Sequence, residues 1–356
     1  MKVCIIGTGL SGLTLAKVLV NQKIYVELIS MKKNSTINQN STLGISENNI
    51  EYFNENIINL NKEMWKLKKI EIFSDNLKSE KILNFENKKN YLFSIIQNYK
   101  LNKLLNKSLA NNKYFKKTSK KNILNLTKIY DLVIVTEFTN SISKKYFSKK
   151  IIKNYNNIAY ATVIEHQKIN NDIATQIFTK KGPLAFLPIS HSLTSVVYSI
   201  NYSNNDKSEN VEKLIHQYNL KYKINKIRKV EMFELKSFNL RSYFYKNILA
   251  FGDLLHRVHP LAGQGFNMTL RDIKIFSEII KSRINLGLPI DSSINYEFEK
   301  KLKHKNLIFS HGIDFIYELF NFERKTKNTI LSKSIQSIGK YSVINKFFTQ
   351  VANKGI

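Results

Sequence analysis

Three glycines near the amino terminus constrain the fold of this chain more than any other feature of its sequence. Gly7, Gly9 and Gly12 form the pattern G-x-G-x-x-G directly after the apolar run KVCII. Residues 13–20 have the pattern of a helix, and residues 24–30 (IYVELIS) that of a second strand. In such a unit the first glycine permits a tight turn, the second lets backbone approach a pyrophosphate, and the third lets the helix pack on the strand. The sequence therefore predicts a Rossmann-like unit whose loop binds a dinucleotide at a helix N-terminus.

One part of a dinucleotide site is missing from this unit. An acidic residue at the end of the second strand normally binds the adenosine ribose. Ser30 occupies that position, and Glu27 lies inside the strand, where alternation directs it to the face opposite Ser30. We therefore predict that Ser30 contacts the ribose without a charge and that binding is weakened.

A second glycine-rich turn, FGDLLHRVHPLAGQGFNMTLRD, begins at Phe251 and opens a long amphipathic helix. Asp253, at the end of the preceding apolar strand, can accept a hydrogen bond from a sugar-type hydroxyl. Gly263 and Gly265 let the backbone touch a flat ligand, and the dipole of the helix that begins there favours negative charge. This turn is thus a second candidate ligand site.

The remaining patterns predict an α/β protein with an inserted sheet. Residues 130–137 (YDLVIVTE) are typical of a parallel strand covered on both faces. Residues 158–236 alternate as strands of a mainly antiparallel sheet, with a helical interruption at 210–222, and the chain is helical from residue 294 onward. The patterns also favour a loop at 35–49 and helices near 50–67 and 92–109. The predicted domains are a discontinuous nucleotide-binding domain at 1–157 and 246–290, an inserted substrate-binding sheet at 158–245, and a C-terminal helical region at 291–356.

The second loop resembles the flavin-binding signature G-D-x-x-H-x-x-x-P-x-x-G-Q-G-x-N of the class A flavoprotein monooxygenases. Within that class, its form H-P-x-A-G-Q-G-F-N-x-x-x-R-D is similar to that of the ubiquinone-biosynthesis hydroxylases (the UbiH/UbiF/VisC group). Residues 182–188, GPLAFLP, resemble a substrate-domain segment of the same group. The resemblance implies a p-hydroxybenzoate-hydroxylase-like fold: a Rossmann-like FAD-binding domain, an inserted mainly antiparallel sheet and a C-terminal helical segment.

The resemblance also implies FAD in an extended pose, with NAD(P)H as co-substrate; from the residues themselves we expect no metal. The ADP half of FAD would lie on the first glycine loop, the ribityl chain near Asp253, and the isoalloxazine against Pro260 and the second glycine turn. The implied cofactor-binding residues are Gly7, Gly9, Gly12, Ser30, Glu137, Gly252, Asp253, Pro260, Gly263, Gln264, Gly265 and Asn267.

The implied reaction is hydroxylation of a polyprenylated phenol in ubiquinone biosynthesis, in which reduced flavin and O2 form a C4a-hydroperoxide. Pro260 and His259 are the candidate catalytic residues; His259 is either a base or a structural part of the signature. Pro260 disfavours helix at His259, so this segment is extended. His256 and His259 could alternatively bind a metal as H-x-x-H, but no third ligand is evident.

A middle motif of the family, Asp-Gly followed by x-x-S-x-x-R, is altered in this chain. The corresponding stretch, EFTNSISK, begins at Glu137 and ends at Lys144. Phe138 replaces the glycine, adds bulk where backbone approaches the cofactor, and is expected to demand an unfavourable φ. Separately from this motif, Ser41 stands where the family has an arginine in the loop after the second strand. These departures support a second interpretation: a degenerate flavin-binding or flavin-free accessory subunit of a quinone-biosynthesis assembly, with little turnover.

Composition narrows the class of protein further. Lys and Arg number 56 against 27 Asp and Glu, a net charge of +29, which predicts attraction to anions. An AT-biased gene that favours lysine is an alternative cause, and no nucleic-acid motif accompanies the lysines, so we expect no nucleic-acid partner. The single cysteine, Cys4, excludes an internal disulfide and fits a reducing compartment. No apolar run is long enough for a membrane span.

The tail after Glu323 has no acidic residue and combines apolar residues at helical spacing with lysines. The apolar set is Leu331, Ile335, Ile338, Ile344, Phe348 and Val351, and the lysines are Lys333, Lys340, Lys346 and Lys354. This pattern is typical of a basic amphipathic helix on anionic lipid, and it fits equally a helix docked on its own domain or on a partner. We expect a cytoplasmic protein, with peripheral contact at the inner membrane and membership of a quinone-biosynthesis complex as further possibilities.

Overall fold

The structure is a computed structural model and describes residues 1–31, 40–75, 80–86, 91–119, 125–201, 210–259, 263–326 and 333. Pro260 lies outside these ranges, and so does the predicted basic tail after Thr326 apart from Lys333. The helices are α1 (Leu10–Asn21), α2 (Glu47–Asn56), α3 (Asn98–Leu109), α4 (Leu126–Ile129), α5 (Ser141–Tyr146), α6 (Val211–Tyr218), α7 (Gln264–Asn285) and α8 (Ser293–Thr326). The strands are β1 (Lys2–Ile6), β2 (Tyr25–Ser30), β3 (Thr42–Ser46), β4 (Trp65–Leu67), β5 (Lys69–Ser74), β6 (Glu80–Glu86), β7 (Phe93–Gln97), β8 (Phe115–Ser119), β9 (Leu132–Val135), β10 (Lys150–His166), β11 (Ile173–Thr179), β12 (Gly182–Pro188), β13 (Leu193–Asn201), β14 (Ile224–Ile227), β15 (Glu231–Leu240), β16 (Phe244–Tyr245), β17 (Ile248–Ala250) and β18 (His256–Arg257).

Within these ranges, β16, β17, β9, β1, β2 and β8 form a sheet in that order. The strand β1 pairs in parallel with β2 and with β9, and β17 continues the parallel order beyond β9. Residues 3–6 of β1 are fully buried, as expected for a central strand with both faces covered. The predicted Rossmann-like unit of β1, α1 and β2 is confirmed.

A second sheet carries the strands β18, β15, β10, β13, β12, β11, β5 and β6 in that order, with β14 beside β10. Its pairs are antiparallel except for β11 with β5. The predicted mainly antiparallel sheet is therefore present. It begins at Lys150 rather than at residue 158, and it also takes in β5 and β6 from an earlier part of the chain.

The helices predicted near 50–67 and 92–109 are wrong in part, because Trp65–Leu67 and Phe93–Gln97 form strands. The strands β3, β7 and β4 form a small antiparallel sheet among the described residues. The stretch FSIIQ of β7 is buried along its whole length, so it pairs as a central strand, and the helix α3 begins only at Asn98. The predicted loop before residue 49 contains β3 and the start of α2.

The two long C-terminal helices close the core beneath the first sheet. The rings of Phe251, Phe276 and Phe298 pack together, with centroids 5.4 Å apart between Phe298 and each of the other two. Phe251 directly follows β17, so these three rings join the end of that strand, α7 and α8 in one apolar cluster. Within the described part of the chain, no helix is both long and apolar enough to cross a membrane.

Candidate functional site

The loop between β1 and α1 closes so tightly that two of its glycines leave no room for a side chain. Gly7 has φ +125°, which favours glycine, and an added Cβ there would lie 2.2 Å from Oγ1 of Thr136. An added Cβ on Gly12 would lie 2.2 Å from the carbonyl oxygen of Gly7, so α1 packs directly on the loop. Gly9, the N-cap of α1, has no side-chain cap, and an added Cβ would meet nothing within 4 Å. The amide of Thr8 donates to Oε1 of Glu137 (3.2 Å). The start of α1 beyond it faces open space, as a pyrophosphate bound on backbone amides requires.

The second loop meets the first at Gly252. This glycine has φ +60°, and an added Cβ would lie 2.5 Å from Cβ of Ser11, in the first turn of α1. Asp253 follows it in a single 3-10 turn and is exposed. The fold therefore brings the two glycine-rich motifs to the same edge of the sheet, at the carboxyl ends of β1 and β17.

Helix α7 begins with an uncapped end beside a buried polar side chain. Its N-cap, Gly263, is left-handed with φ 63° and has no side-chain cap. Gln264 is buried, and its Oε1 has no hydrogen-bond partner among the described residues. An added Cβ on Gly265 would meet nothing within 4 Å. This end of α7 offers open backbone, free amides and an unsatisfied acceptor, which suits a flat polar ligand.

Both the oxygen and the nitrogen of the Asn267 side-chain amide are hydrogen-bonded within the protein. Its Oδ1 accepts from the backbone of Ser46 (3.1 Å) and from Nδ2 of Asn49 (2.9 Å). Its Nδ2 donates to the carbonyl oxygens of Gly44 (2.9 Å) and Gly263 (3.3 Å). A polar contact from Asn267 to a ligand would have to break one of these bonds. The geometry makes this residue a clamp between β3 and the start of α7.

His259 lies in an aromatic enclosure and is 1% exposed. Its ring stacks on Tyr317 (centroids 4.6 Å apart) and meets Tyr155 edge-on (4.9 Å). Its Nε2 lies 3.4 Å from Oγ of Ser199, and its Nδ1 has no partner within the described ranges. Burial lowers the pKa of His259 to about 3, so the ring is neutral near pH 7. A base this weak is poorly matched to proton abstraction near neutrality.

A buried polar cluster around His259 was not predicted from the sequence. Tyr155 donates a hydrogen bond to Asp314, and Asn157 donates to the hydroxyl of Tyr317 (2.6 Å) and to Ser199 (3.1 Å). The cluster joins β10 and β13 of the second sheet to α8. One signal for it was available: Tyr155 and Asn157 are polar residues two apart in a strand and therefore share a face.

Glu27, the acid nearest to the missing ribose contact, is buried and engaged inside the sheet. It accepts hydrogen bonds from Oγ1 of Thr118 (2.7 Å) and from the hydroxyl of Tyr130. Burial and the hydrogen bond to Glu27 raise the pKa of Tyr130, so its hydroxyl stays protonated as the donor. Ser30 lies at the end of β2, paired in register with Ser119 of β8. The inference that Glu27 and Ser30 face opposite ways is consistent with these contacts.

The expectation that Phe138 demands an unfavourable φ is wrong. Among the described residues, the non-glycine positions with positive φ are Lys23 and Lys246. The ring of Phe138 packs edge-on against Phe238 (5.3 Å), and the ammonium of Lys150 lies 4.8 Å from its centroid. The Phe138 side chain, which stands where the family has a glycine, therefore packs against the second sheet.

Two further positions that depart from the family pattern lie on α5 and directly before β3. Lys144 is exposed on α5, whose N-cap Asn140 accepts from the backbone of Ser143 (2.7 Å). Ser41 directly precedes β3, and its carbonyl oxygen accepts from the backbone of Asn98 (3.0 Å). Hydrogen bonds within the chain therefore hold both the start of α5 and the residue before β3 in place.

His256 lies on β18 and is tied to α7. Its Nε2 lies 2.5 Å from Oδ2 of Asp272, and both side chains are fully buried. The two histidines of the H-x-x-H pattern thus have different surroundings, one facing a carboxylate and the other an aromatic enclosure.

A groove of about 460 Å³ lies at the opposite edge of the first sheet. Its lining includes Asp131 and Asn247, which directly precede β9 and β17. Ligands of open parallel sheets bind at the carboxyl ends of the strands, where the two glycine loops lie. We therefore place the candidate site at the glycine loops and not at this groove.

Several solved structures share this architecture over nearly the whole chain. The p-nitrophenol 4-monooxygenase PnpA of Pseudomonas putida superposes with a TM-score of 0.76 at 11% identity, covering 99% of this chain and 98% of that one. HpxO of Klebsiella pneumoniae, solved with FAD and uric acid, gives 0.76 at 11% identity, covering 99% and 97%. The chain pqsL of Pseudomonas aeruginosa, described as a probable FAD-dependent monooxygenase, gives 0.73 at 13% identity, covering 95% and 99%. The chain has the fold of the FAD-dependent monooxygenases.

Sequence comparison points to one branch of these monooxygenases. The chain is 24% identical over 243 residues to the ubiquinone biosynthesis monooxygenase COQ6 of Xenopus tropicalis, covering 56% of this chain and 52% of that protein. It is 26% identical over 181 residues to the ubiquinone hydroxylase UbiL of Rhodospirillum rubrum, covering 47% and 41%. The matched part of the chain thus spans about half the length of these curated relatives. No family model matches the chain. The predicted resemblance and the predicted fold class are both confirmed.

Proposed function

We propose that this flavin-monooxygenase-like chain is an FAD-dependent aromatic-ring hydroxylase that acts on a polyprenylated phenol in ubiquinone biosynthesis. NAD(P)H would supply the electrons and O2 the oxygen, with one oxygen atom added to the ring and the other released as water. The observation that carries the proposal is the junction of Gly252 with Ser11, which places two glycine-rich loops with uncapped helices at one edge of the sheet.

The residues at this edge fit FAD along its length. Gly7, Gly9 and Gly12 would hold the pyrophosphate on backbone amides, since Gly9 is open and Gly12 is tightly packed. Exposed Asp253 would accept from the ribityl chain, and Ser30 would face the adenosine ribose.

The flavin ring would lie at the start of α7. The open backbone at Gly265 and the unsatisfied Oε1 of Gln264 would meet its polar edge. Pro260, which lies outside the described residues, would contact its face as the family resemblance implies. We place Asn267 behind this surface, where its four hydrogen bonds fix the shape of the turn.

FAD, when bound, would carry electrons from NAD(P)H and activate O2 for transfer to the phenol ring. The chain would assist through the N-terminus of α7, whose free amides and dipole stabilise negative charge at the pyrimidine edge of the flavin. Neutral His259, enclosed by Tyr155 and Tyr317, would fix the extended segment that leads into Pro260. We assign it this positioning role in place of the role of a base.

The substrate would bind against the second sheet, and its isoprenoid tail requires access to a membrane. We propose that the basic segment at residues 330–356, of which the structure describes only Lys333, provides peripheral contact with anionic lipid. Deleting this segment should release the protein from phosphatidylglycerol liposomes in a flotation assay. Unchanged flotation of a folded truncated protein would leave docking on the chain itself or on a partner as its role.

The decisive experiment is anaerobic mixing of FAD-loaded protein with NADH or NADPH, with and without a prenylated phenol. We expect loss of the oxidised flavin absorbance, accelerated by the phenol, and a hydroxylated product once O2 is admitted. FAD-loaded protein whose flavin absorbance is never lost on mixing with NADH or NADPH, with or without the phenol, would contradict the hydroxylase proposal.

One observation favours the second candidate function, an accessory subunit with little turnover. Glu27 is hydrogen-bonded to Thr118 and Tyr130, so its carboxylate is not available for the adenosine ribose. Protein purified without flavin that cannot be reconstituted with FAD would support this candidate over the enzyme.

A further inference from the structure

We propose that residues 330–340 fold back as a helix onto an exposed apolar stripe of α8 and lie antiparallel to it. The α8 stripe consists of Ile308, Phe315, Leu319 and Phe322. The inference goes beyond the proposed lipid contact of the basic segment, because it gives the two faces of that segment different partners. It does not depend on the binding of FAD.

The α8 stripe lies on the side of the helix that faces away from the protein. Ile308, Phe315 and Phe322 are 70%, 63% and 66% exposed. Each is seven residues from the next, so the three lie on one side of the helix, and Leu319 lies between the last two. Tyr317, on the opposite side of α8, is 5% exposed. Large apolar side chains at this spacing are typical of a seam that packs against a second helix.

The segment that follows α8 has the pattern that such a seam requires. Leu331, Ile335 and Ile338 are separated by four residues and then by three, and the last three members of the α8 stripe have the same spacing. Apolar residues in this repeat share one face of a helix. Lys333 is helical and exposed, and at 100° per residue it falls on the face opposite Leu331. The segment therefore combines an apolar face with a basic one.

The two apolar patterns are in register about the end of α8. Helices rise by about 1.5 Å per residue, so in a hairpin the residues equally far from the turn come to the same level. For a turn centred on the bond after Thr326, Phe322 is level with Leu331. Phe315 is level with Ile338 by the same count. The apolar residues of the segment would thus meet those of the α8 stripe pair by pair.

The residues after Thr326 suit a tight connection between antiparallel helices. Such helices are commonly joined by about two to five residues, and Lys327 and Asn328 would form a short connection of this kind. Asparagine tolerates the left-handed conformation that often ends a helix. Thr329 has a side-chain oxygen that can cap the start of the next helix.

Charge and tethering favour the chain's own segment over a second copy of the protein. Each copy carries a net charge of +29, which opposes association of the two. The segment follows α8 directly, so its effective concentration at the stripe is high. Docking would leave Lys333 and Lys340 facing outward. On a continued helix Ile344 and Val351 fall on that outward side as well, so the lipid contact remains available.

Paired cysteines in the whole chain test the proposed register. The docking pair is Phe315→Cys with Ile338→Cys, which are level and face each other. The control pair is Phe315→Cys with Lys340→Cys, which lies near the same level but on the outward face. The native cysteine, Cys4, is buried. Under mild oxidation by copper phenanthroline, we expect the intramolecular disulfide to form at least about tenfold faster in the docking pair, because a disulfide requires close Cα atoms.

The outcomes on a non-reducing gel decide between the possible occupants of the stripe. Equal rates for the two pairs, or no intramolecular disulfide in either, would overturn the inference. A disulfide-linked dimer as the main product of Phe315→Cys alone would assign the stripe to a second copy and overturn it as well. The cross-link is measured without flavin or lipid, so its failure would leave the hydroxylase proposal intact, and the flotation assay tests the lipid contact separately.

Discussion

The hydroxyl of Tyr155 donates a hydrogen bond to Asp314, and this contact joins the second sheet to the long helix α8. Burial and the bond to Asp314 raise the pKa of Tyr155, so the hydroxyl remains a donor over the whole physiological range. The same tyrosine ring meets His259 edge-on, directly before the segment that leads to the candidate flavin ring site. A helix distant in sequence therefore supports the candidate site through one aromatic side chain.

Tyr155→Phe should destabilise the protein because it leaves the buried carboxylate of Asp314 without this donor. We expect a decrease of about 2 kcal/mol in the free energy of unfolding, measured by urea denaturation. Tyr296→Phe, at an exposed position of α8, is the matched control and should change stability by less than about 0.5 kcal/mol. Equal effects of the two substitutions would contradict a structural role for the Tyr155–Asp314 bond.

His259 should make stability depend on pH in mildly acidic solution. Its pKa is lowered from 6.5 in the unfolded chain to about 3 in the folded protein, by burial. Between these values the unfolded chain binds more protons, so stability is full above pH 6.5 and decreases as the pH falls towards 3. The slope should reach about 1.4 kcal/mol per pH unit and should be smaller in His259→Gln. Urea denaturation of both proteins from pH 7 to 4 would measure it, and parallel curves would refute the assignment.

Gly9 and Gly12 should respond differently to alanine. Gly12→Ala forces a Cβ to within 2.2 Å of a carbonyl oxygen, so it should destabilise the fold by about 2 kcal/mol or more. Gly9→Ala meets no protein atom within 4 Å and should change stability by at most about 1 kcal/mol. It should nevertheless weaken FAD binding more than tenfold, since a pyrophosphate would occupy that space. Calorimetry and thermal unfolding separate the two effects, and normal FAD affinity in Gly9→Ala would argue against this loop as the pyrophosphate site.

Asn267→Ala should loosen the turn at the start of α7. The substitution leaves the amide of Ser46 and the carbonyl oxygen of Gly44 without their side-chain partner. We expect a loss of about 3 kcal/mol in unfolding free energy, against almost none for Asn111→Ala at an exposed turn. A variant as stable as the wild type but deficient in FAD binding would instead make Asn267 a direct cofactor contact.

Ser30→Asp should restore the missing ribose contact. A carboxylate at the end of β2 would accept a charge-assisted hydrogen bond, so FAD should bind about tenfold tighter while FMN, which lacks adenosine, is unaffected. Ser119→Asp adds the same charge at the paired position of the neighbouring strand and serves as the control. Equal gains from both substitutions would show a general charge effect and not a ribose contact.

The sequence by itself determined the local elements that bind through backbone. Gly7, Gly9 and Gly12 predicted their turn because strand, glycine spacing and helix are all encoded within a few neighbouring residues. The second loop and the α/β class were predictable for the same reason, since hydrophobic periodicity and turn residues are local signals.

Only the tertiary structure decided which distant residues meet. The contact of Gly252 with Ser11, the aromatic enclosure of His259 by Tyr155 and Tyr317, and the carboxylate of Glu137 on the Thr8 amide each join separate parts of the chain. The stretch FSIIQ became a strand because partners were available on both sides, although its residues alone fit a helix as well. Burial and charge proximity depend on packing between elements, and one-dimensional spacing does not contain that information.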